Sequence, residues 1–359
     1  MRSAGRRRRW LLAVALAVAT GCHHPAAPTA SGSLPAPTGS EPSRAAGATP
    51  PPSVAWLTGA LENVGLATAR FGLHDDLGCP MATLKIVDSE DGYLGVYHCL
   101  LAGRYRVRLA RSTDLAHWTY QAELDSHASQ PTLARLPDGS FVLAVEADNG
   151  GGTGAGRRWL RFRHYSGPAA LFAAHPDRTF DAPHTLTAPD RGAEGTPNIY
   201  SARLAQGSTA SRITVGFHYL SQGLDRQARG ELTDFRVWSA RPAKGLDAAL
   251  TKAGLPGKHG DRDALTLGST TVTVLEAQDG ENRYWHIALS RTPNTAVALH
   301  IRTPGRSSSI ANPTVSLMRL PTGQPGLVVT MYLPRTGAAR KEAGELIYFR
   351  PLPGYDDQS

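Results

Sequence analysis

Cysteine, long apolar runs, helical periodicity and lysine-rich stretches are all scarce in this sequence, and each scarcity removes a class of protein. With three cysteines in 359 residues, the chain cannot rest on a dense disulfide frame. No paired His and Cys spacing of a zinc site occurs, and no acids have the spacing of a calcium loop. The net charge is +8, but five of those charges are Arg2, Arg6, Arg7, Arg8 and Arg9, which leaves about +3 for the rest. Without a basic stripe, nucleic-acid binding is not supported. The glycine run Gly150–Gly154 lacks the lysine and the strand–helix setting of a phosphate loop. Apolar spacing of 3.6 residues is nearly missing, and the one stretch that suggests helix is Leu246 to Ala253.

The apolar run Leu11–Ala19 is too short for a permanent membrane span, which needs ~20 residues. Preceded by arginines and no acid, it reads as the core of a signal peptide. It ends Ala19-Thr20-Gly21-Cys22, which resembles a bacterial lipobox with Cys22 as the thiol to be acylated. The alternative is an ordinary secretory cleavage site beside a chance cysteine. The arginine pair before Trp10 resembles a twin-arginine signal. From residue 23 to 53 the chain is mostly Pro, Ala, Ser, Thr and Gly, a composition that cannot bury enough surface to order itself. The expected organisation is a lipoprotein-type signal peptide over 1–22, a disordered linker over 23–53 and a folded domain over 54–355. That describes an exported protein, extracellular or held at the cell envelope, whose only membrane contact is the lipid anchor.

Within the folded part, five segments share one layout: polar lead-in, short apolar strand, turn, second apolar strand. Anchored on Pro80, Pro131, Pro197, Asp263 and Pro313, they are spaced by 51, 66, 66 and 50 residues. Asp91-Gly92 and Pro137-Asp138-Gly139 are hairpin turns, since such residues tolerate positive φ. Proline at the head of a strand is tolerated where no ladder donor is needed. Repeats of this length predict an all-β fold, a five-bladed β-propeller of four-stranded blades, with polar residues converging at one mouth of a central channel. Cys79 and Cys99 lie symmetrically about the turn near Ser89. They either pair across a hairpin or stay as two buried thiols.

Ser112-Thr113-Asp114-Leu115-Ala116-His117-Trp118 resembles the S-x-D-L-x-x-W segment of five-bladed glycoside hydrolases of family 43 and their relatives. Thr233-Asp234 through Trp238 is a degenerate second copy. The resemblance makes Asp114 and Trp118 scaffolding, the acid capping a turn and the indole packing between blades. Glu194-Gly195-Thr196-Pro197-Asn198-Ile199-Tyr200 is similar to the E-G-P-x-x-Y lead-in to the third blade, where the glutamate is the general acid. One residue, Thr196, is extra. Where the family carries aspartates at the heads of blades one and two, alignment on the prolines puts Cys79 and Gln130.

Glycosidic cleavage needs one carboxylic acid for the leaving oxygen and a second carboxylate for water or attack. The resemblance therefore implies Glu194 as acid; Asp75 or Asp76, on the loop just before Cys79, is the expected base, and Asp263 in the fourth lead-in a further catalytic carboxylate. Gln130, Asp261, Arg262, Glu276 and Asn312 are the expected substrate-binding groups. The expected activity is glycan hydrolysis by a surface-tethered protein, and the alternative is a propeller that only binds glycan or protein at the same mouth. No cofactor is expected beyond a central calcium ion, which relatives sometimes hold.

Overall fold

Strands in chain order pair with their neighbours to form five four-stranded antiparallel sheets. The computed structural model describes residues 52–149, 157–188, 192–205, 210–281 and 283–354, all within the unit Thr49–Ser359. The expected signal peptide with Cys22, and the linker but for residues 52 and 53, lie outside the described residues.

After β1 (Thr68–Phe71), the first blade is β2 (Ala82–Ser89), β3 (Gly92–Leu101), β4 (Arg104–Ser112) and β5 (Thr119–Asp125). The second is β6 (Ala128–Arg135), β7 (Phe141–Asp148), β8 (Arg158–Tyr165) and β9 (Arg178–Asp181). The third is β10 (Glu194–Arg203), β11 (Arg212–Ser221), β12 (Leu224–Thr233) and β13 (Val237–Pro242). The fourth is β14 (His259–Leu267), β15 (Thr270–Gln278), β16 (Trp285–Thr292) and β17 (Thr295–Ala298). The fifth is β18 (Ala311–Arg319), β19 (Pro325–Leu333) and β20 (Gly344–Pro351), and its outer strand is β1 from the other end of the chain. Each first strand touches the first strands of both neighbouring blades, so β2, β6, β10, β14 and β18 ring the axis. The chain is a five-bladed β-propeller. Closing the ring with an N-terminal strand covers an edge that would otherwise be left unpaired.

Four of the five seams between blades are apolar. Leu94, Val96 and Leu109 meet Phe141 and Leu143 between blades one and two. Phe162 meets Val215, Phe217 and Leu232 between two and three. Val272, Val274 and Ile287 meet Val329, Met331 and Tyr348 between four and five. Leu84, Tyr97 and Trp118 meet Val328 and Ile347 between five and one. Between blades three and four no such cluster occurs among the described residues; a small one joins helix α3 (Lys244–Lys252) to the fourth blade. This helix covers most of the one stretch whose apolar spacing suggested helix. In chain order it follows α1 (Val54–Glu62), which has the same length, and the shorter α2 (Pro168–Phe172). No sequence pattern pointed to α1, which Ser53 caps and which buries Leu57, Ala60 and Leu61 against blades four and five.

Local chemistry explains the recurrent turn. Ser112 Oγ accepts from Leu115 N at 2.9 Å, and Asp114 Oδ1 accepts from Ala116 N at 2.9 Å and His117 N at 2.8 Å. The turn delivers Trp118 into the seam of blades one and five. Its chain also passes Gly92, at φ 122°, where a Cβ would lie 2.5 Å from the Ser112 carbonyl. In the second copy, Asp234 Oδ1 accepts from Ser211 N at 2.7 Å, and Trp238 lies between Phe162 and Phe217.

A disulfide joins Cys79 to Cys99 with the Cα atoms 6.2 Å apart. Cys79 is not on a strand. It lies in the segment that crosses from β1 to β2, so the bridge pins that crossing to the end of β3. The two residues are 20 apart, and closing a loop of that size stabilises a fold by roughly 3 kcal/mol. Replacing both cysteines by serine should lower the guanidinium midpoint accordingly. An unchanged midpoint would mean the crossing is already held by its hydrogen bonds.

Candidate functional site

Each inner strand carries a β-bulge at its head. Register slips by one between Ala82 and Lys85, Ser129 and Thr132, Gly195 and Asn198, His259 and Arg262, and Ala311 and Thr314. The unpaired residues are Thr83-Leu84, Gln130-Pro131, Thr196-Pro197, Gly260-Asp261 and Asn312-Pro313. Thr83, Gln130, Thr196 and Asn312 are left-handed, with φ of 55°, 51°, 51° and 46°. Non-glycine residues rarely adopt that conformation, and strain of this kind persists only where the surroundings over-determine it.

Two of the five sequence anchors therefore move. Leu84, not Pro80, is the counterpart of Pro131, Pro197 and Pro313, and Asp261, not Asp263, heads the fourth blade. Pro80 sits in the crossing segment, where it forms a bridge with His74. The residue at the first head is consequently Thr83, and Cys79 stands four residues before it. The inserted Thr196 is the bulge residue itself.

Bulging frees backbone N–H groups, and side chains of adjacent strands accept them. Glu345 on β20 takes Thr83 N and Leu84 N, both at 3.0 Å. Glu146 on β7 takes Thr196 N at 2.9 Å. Glu276 on β15 takes Asp261 N at 2.8 Å and Asn312 N at 2.5 Å. His98 Nδ1 takes Gln130 N at 3.2 Å and lies 2.9 Å from Thr83 Oγ1. Since Gln130 N must donate, that imidazole nitrogen is unprotonated and the ring is neutral. Burial pushes the His98 pKa down to about 4. Burial likewise raises Glu276 and holds Glu345 well above the ordinary carboxylate range. Of these bracing groups only Glu276 was singled out in the sequence as a site residue. Glu146 on β7 and Glu345 on β20 carry no motif that marks them in the sequence.

Three heads meet at the mouth. Asn312 Nδ2 donates to Gln130 Oε1 at 3.1 Å and reaches Asp261 Oδ2 at 3.4 Å. They come from blades five, two and four. Asp261 is 8% exposed, and burial, reinforced by the nearby Glu276 charge, pushes its pKa up to about 7. Arg262, 1% exposed, turns to the Thr196 carbonyl at 3.2 Å and to the Gly260 carbonyl. Burial lowers its pKa. Deeper in the channel Asp263 binds four groups: Asn198 Nδ2 at 3.0 Å, Ala264 N at 2.8 Å, Val315 N at 2.9 Å and the Lys85 ammonium. It links blades three, five and one to its own.

The structure thus gathers Gln130, Asp261, Arg262, Asp263, Glu276 and Asn312. It does not bring Glu194, Asp75 or Asp76 to them. Glu194 Oε1 accepts from Thr185 N, Leu186 N and Thr187 N at 2.8, 2.6 and 2.8 Å. It orders the segment before its own strand. Asp75 lies beneath the crossing segment, accepting from Leu77 N at 3.1 Å, Cys79 N at 2.7 Å, the Tyr97 hydroxyl at 2.5 Å and Arg108 at 3.1 Å. Exposed Asp76 accepts from Tyr120 N at 2.8 Å. None of these three shares a hydrogen-bond partner with the mouth. Among the described residues, no group of three or more His, Cys, Asp and Glu is placed to hold a metal ion.

The raised pKa of Asp261 has a definite sign. Its ordinary value is 3.8 and its folded value about 7, so between those limits the folded state holds a proton that the unfolded state gives up. Stability from this group is present at low pH and is lost as pH rises to about 7. Urea unfolding across this range should show Asp261→Asn flattening the fall. An unaltered slope would assign the proton elsewhere.

Structural comparison finds this architecture among solved proteins. A glycoside hydrolase superposes with a TM-score of 0.54 over 80% of this chain and 92% of its own, at 14% identity. A BT0996 complex with RGII gives 0.56 over 83% and 96%, also at 14% identity. An endo-arabinase from Bacteroides thetaiotaomicron VPI-5482 gives 0.47 over 79% and 97% at 14% identity. No protein-family model matches the sequence, and no curated protein matches it. At such identity the likeness is one of fold: this chain has a glycoside hydrolase-like propeller.

Proposed function

We propose that the propeller binds a glycan at the channel mouth, through Gln130, Asn312 and Asp261. One observation carries this reading: two primary amides and one carboxyl from three blades meet in a single hydrogen-bonded group. Near neutral pH that carboxyl keeps its proton for part of the time. Amides and a protonated acid offer donors and acceptors together, the complement of sugar hydroxyls. A glycoside hydrolase needs two carboxyl groups flanking the scissile bond. Here the residues heading blades one to three are Thr83, Gln130 and Thr196, and Glu146, Glu276 and Glu345 are engaged with backbone N–H groups. The lipobox-like Cys22 and the Pro/Ser-rich segment behind it support export and attachment at the cell envelope, where a glycan receptor meets its ligand.

A second reading keeps hydrolysis, and the proton on Asp261 favours it, because a general acid must hold its proton near the working pH. The two readings separate in one experiment. The purified chain is run against a panel of neutral polysaccharides by affinity electrophoresis, with reducing-end release assayed on the same samples. Binding should occur without release, and Gln130→Ala or Asn312→Ala should weaken it at least about ten-fold, the value of one lost charged or paired hydrogen bond. Release that vanishes in Asp261→Asn would replace binding by hydrolysis. No retention on any glycan, together with no release, would overturn both.

A further inference from the structure

The seam between blades three and four breaks the rule that the other four follow. On β12, Ala228 and Leu232 turn to the apolar cluster shared with blade two. The alternate residues turn the other way: Gln227 Nε2 reaches the Gly260 carbonyl of blade four at 2.9 Å. Arg229 and Glu231 share that side, and with Thr214, Ser239 and Arg241 they line a cleft of about 480 Å³. Blade four answers with small and hydroxylic groups. Leu265, Leu267, Val272 and Val274 are buried toward blade five; on the other face Leu275, Ala277 and Ala288 pack under helix α3, and by alternation Ala264, Thr266, Thr271 and Thr273 lie beside them. Thr266 and Thr271 are exposed, their hydroxyls 3.0 Å apart. Away from helix α3, this seam is polar where the other four are apolar.

Its charges are arranged against themselves. Arg229 and Arg241 are direct cross-strand partners, a placement in which like charges repel. Neither has an ion-pair partner among the described residues. The acid in the cleft, Glu231, lies 3.3 Å from Arg212. The Arg229 guanidinium lies over the Tyr200 ring, 5.6 Å from its centroid. Buried Arg262, whose Nε has no hydrogen-bond partner, comes close to Tyr200 beside Gly216. The ring can lie there because residue 216 is glycine: a Cβ would fall 2.2 Å from the Tyr200 hydroxyl and 2.8 Å from Arg262 Cδ. Arg229 and Arg241 thus stand side by side, one of them over an aromatic ring.

We propose that this cleft binds an acidic glycan chain, a carboxylate or sulfate group bridging Arg229 and Arg241 while the threonine and serine hydroxyls meet the sugar. Guanidinium forks take such oxygens in pairs. The anion supplies the counter-charge that the blade does not. The site is separate from the mouth, so it does not rest on the neutral-glycan reading.

Polygalacturonate, dextran sulfate and uncharged dextran are titrated into the purified chain by calorimetry at low and physiological salt. At least one polyanion should bind, dextran should not compete, and the double substitution Arg229→Ser with Arg241→Ser should weaken binding ten-fold or more. Binding of polygalacturonate alone assigns carboxylate, and binding of dextran sulfate alone assigns sulfate. A charge-matched control, Arg70→Ala with Arg340→Ala, should bind as the unsubstituted chain does. Without ligand at low salt, Arg241→Ser should raise the melting temperature, since it removes the repulsion. The proposal is overturned by polyanion binding that survives the Arg229/Arg241 substitution, by an equal loss in the control, or by no polyanion binding at all. Loss of neutral-glycan binding in the mouth variants leaves these outcomes unaffected.

Discussion

Backbone N–H groups freed at the strand heads set the terms for everything else at the axis. A buried amide left without an acceptor costs about as much as a lost hydrogen bond with its desolvation. A bulge at the head of each inner strand leaves several such amides without a ladder partner in a largely buried region. Glu146, Glu276, Glu345 and His98 answer them. These acceptors also tie blade to blade, because the acid of one sheet takes the amide of the next. The left-handed residues at the heads are held in place by those bonds, and that is why they can be threonine, glutamine and asparagine.

A carboxylate engaged in this way is a poor reagent. Its lone pairs face fixed donors, and moving it would expose the amides again. The chemistry open to the mouth is therefore set by what the bracing leaves over: Asp261 Oδ2, and the amides of Gln130 and Asn312. Below them Asp263 and Lys85 close the axis with an ion pair. The mouth therefore presents these polar groups above the Lys85–Asp263 ion pair. The outer seam of blades three and four has no bracing duty, and its arginines stay open to solvent and to whatever solvent carries.

The blade count was legible because Pro131, Pro197 and Pro313 occupy one structural position, the second bulge residue, where no ladder donor is required. Pro80 misled for the same reason: proline also suits a crossing segment, and nothing local distinguishes the two settings. Asp261 and Asp263 lie two residues apart, so they share an apparent repeat position while only one is bulged. Glu194 carries the family-like pattern, yet its three amide partners lie in the preceding segment at Thr185 to Thr187, a contact no periodicity announces. The strand Thr68–Phe71 is four residues long and acquires its identity only from a partner at the far end of the chain. Long-range partners of that kind are what a linear reading cannot supply.

That far-end partnership has a kinetic side. Thr68 through Phe71 pair with Leu346 through Phe349, so the last sheet cannot be finished until nearly the whole polypeptide is available. Pairings this remote in sequence form slowly, because loop entropy must be overcome before the contact can offset it. During synthesis the earlier blades can stack on each other while β1 waits, with its hydrogen-bonding edge unsatisfied. A chain that crosses a membrane before folding would meet the same delay on the other side, and the ring would close as the final act of its maturation.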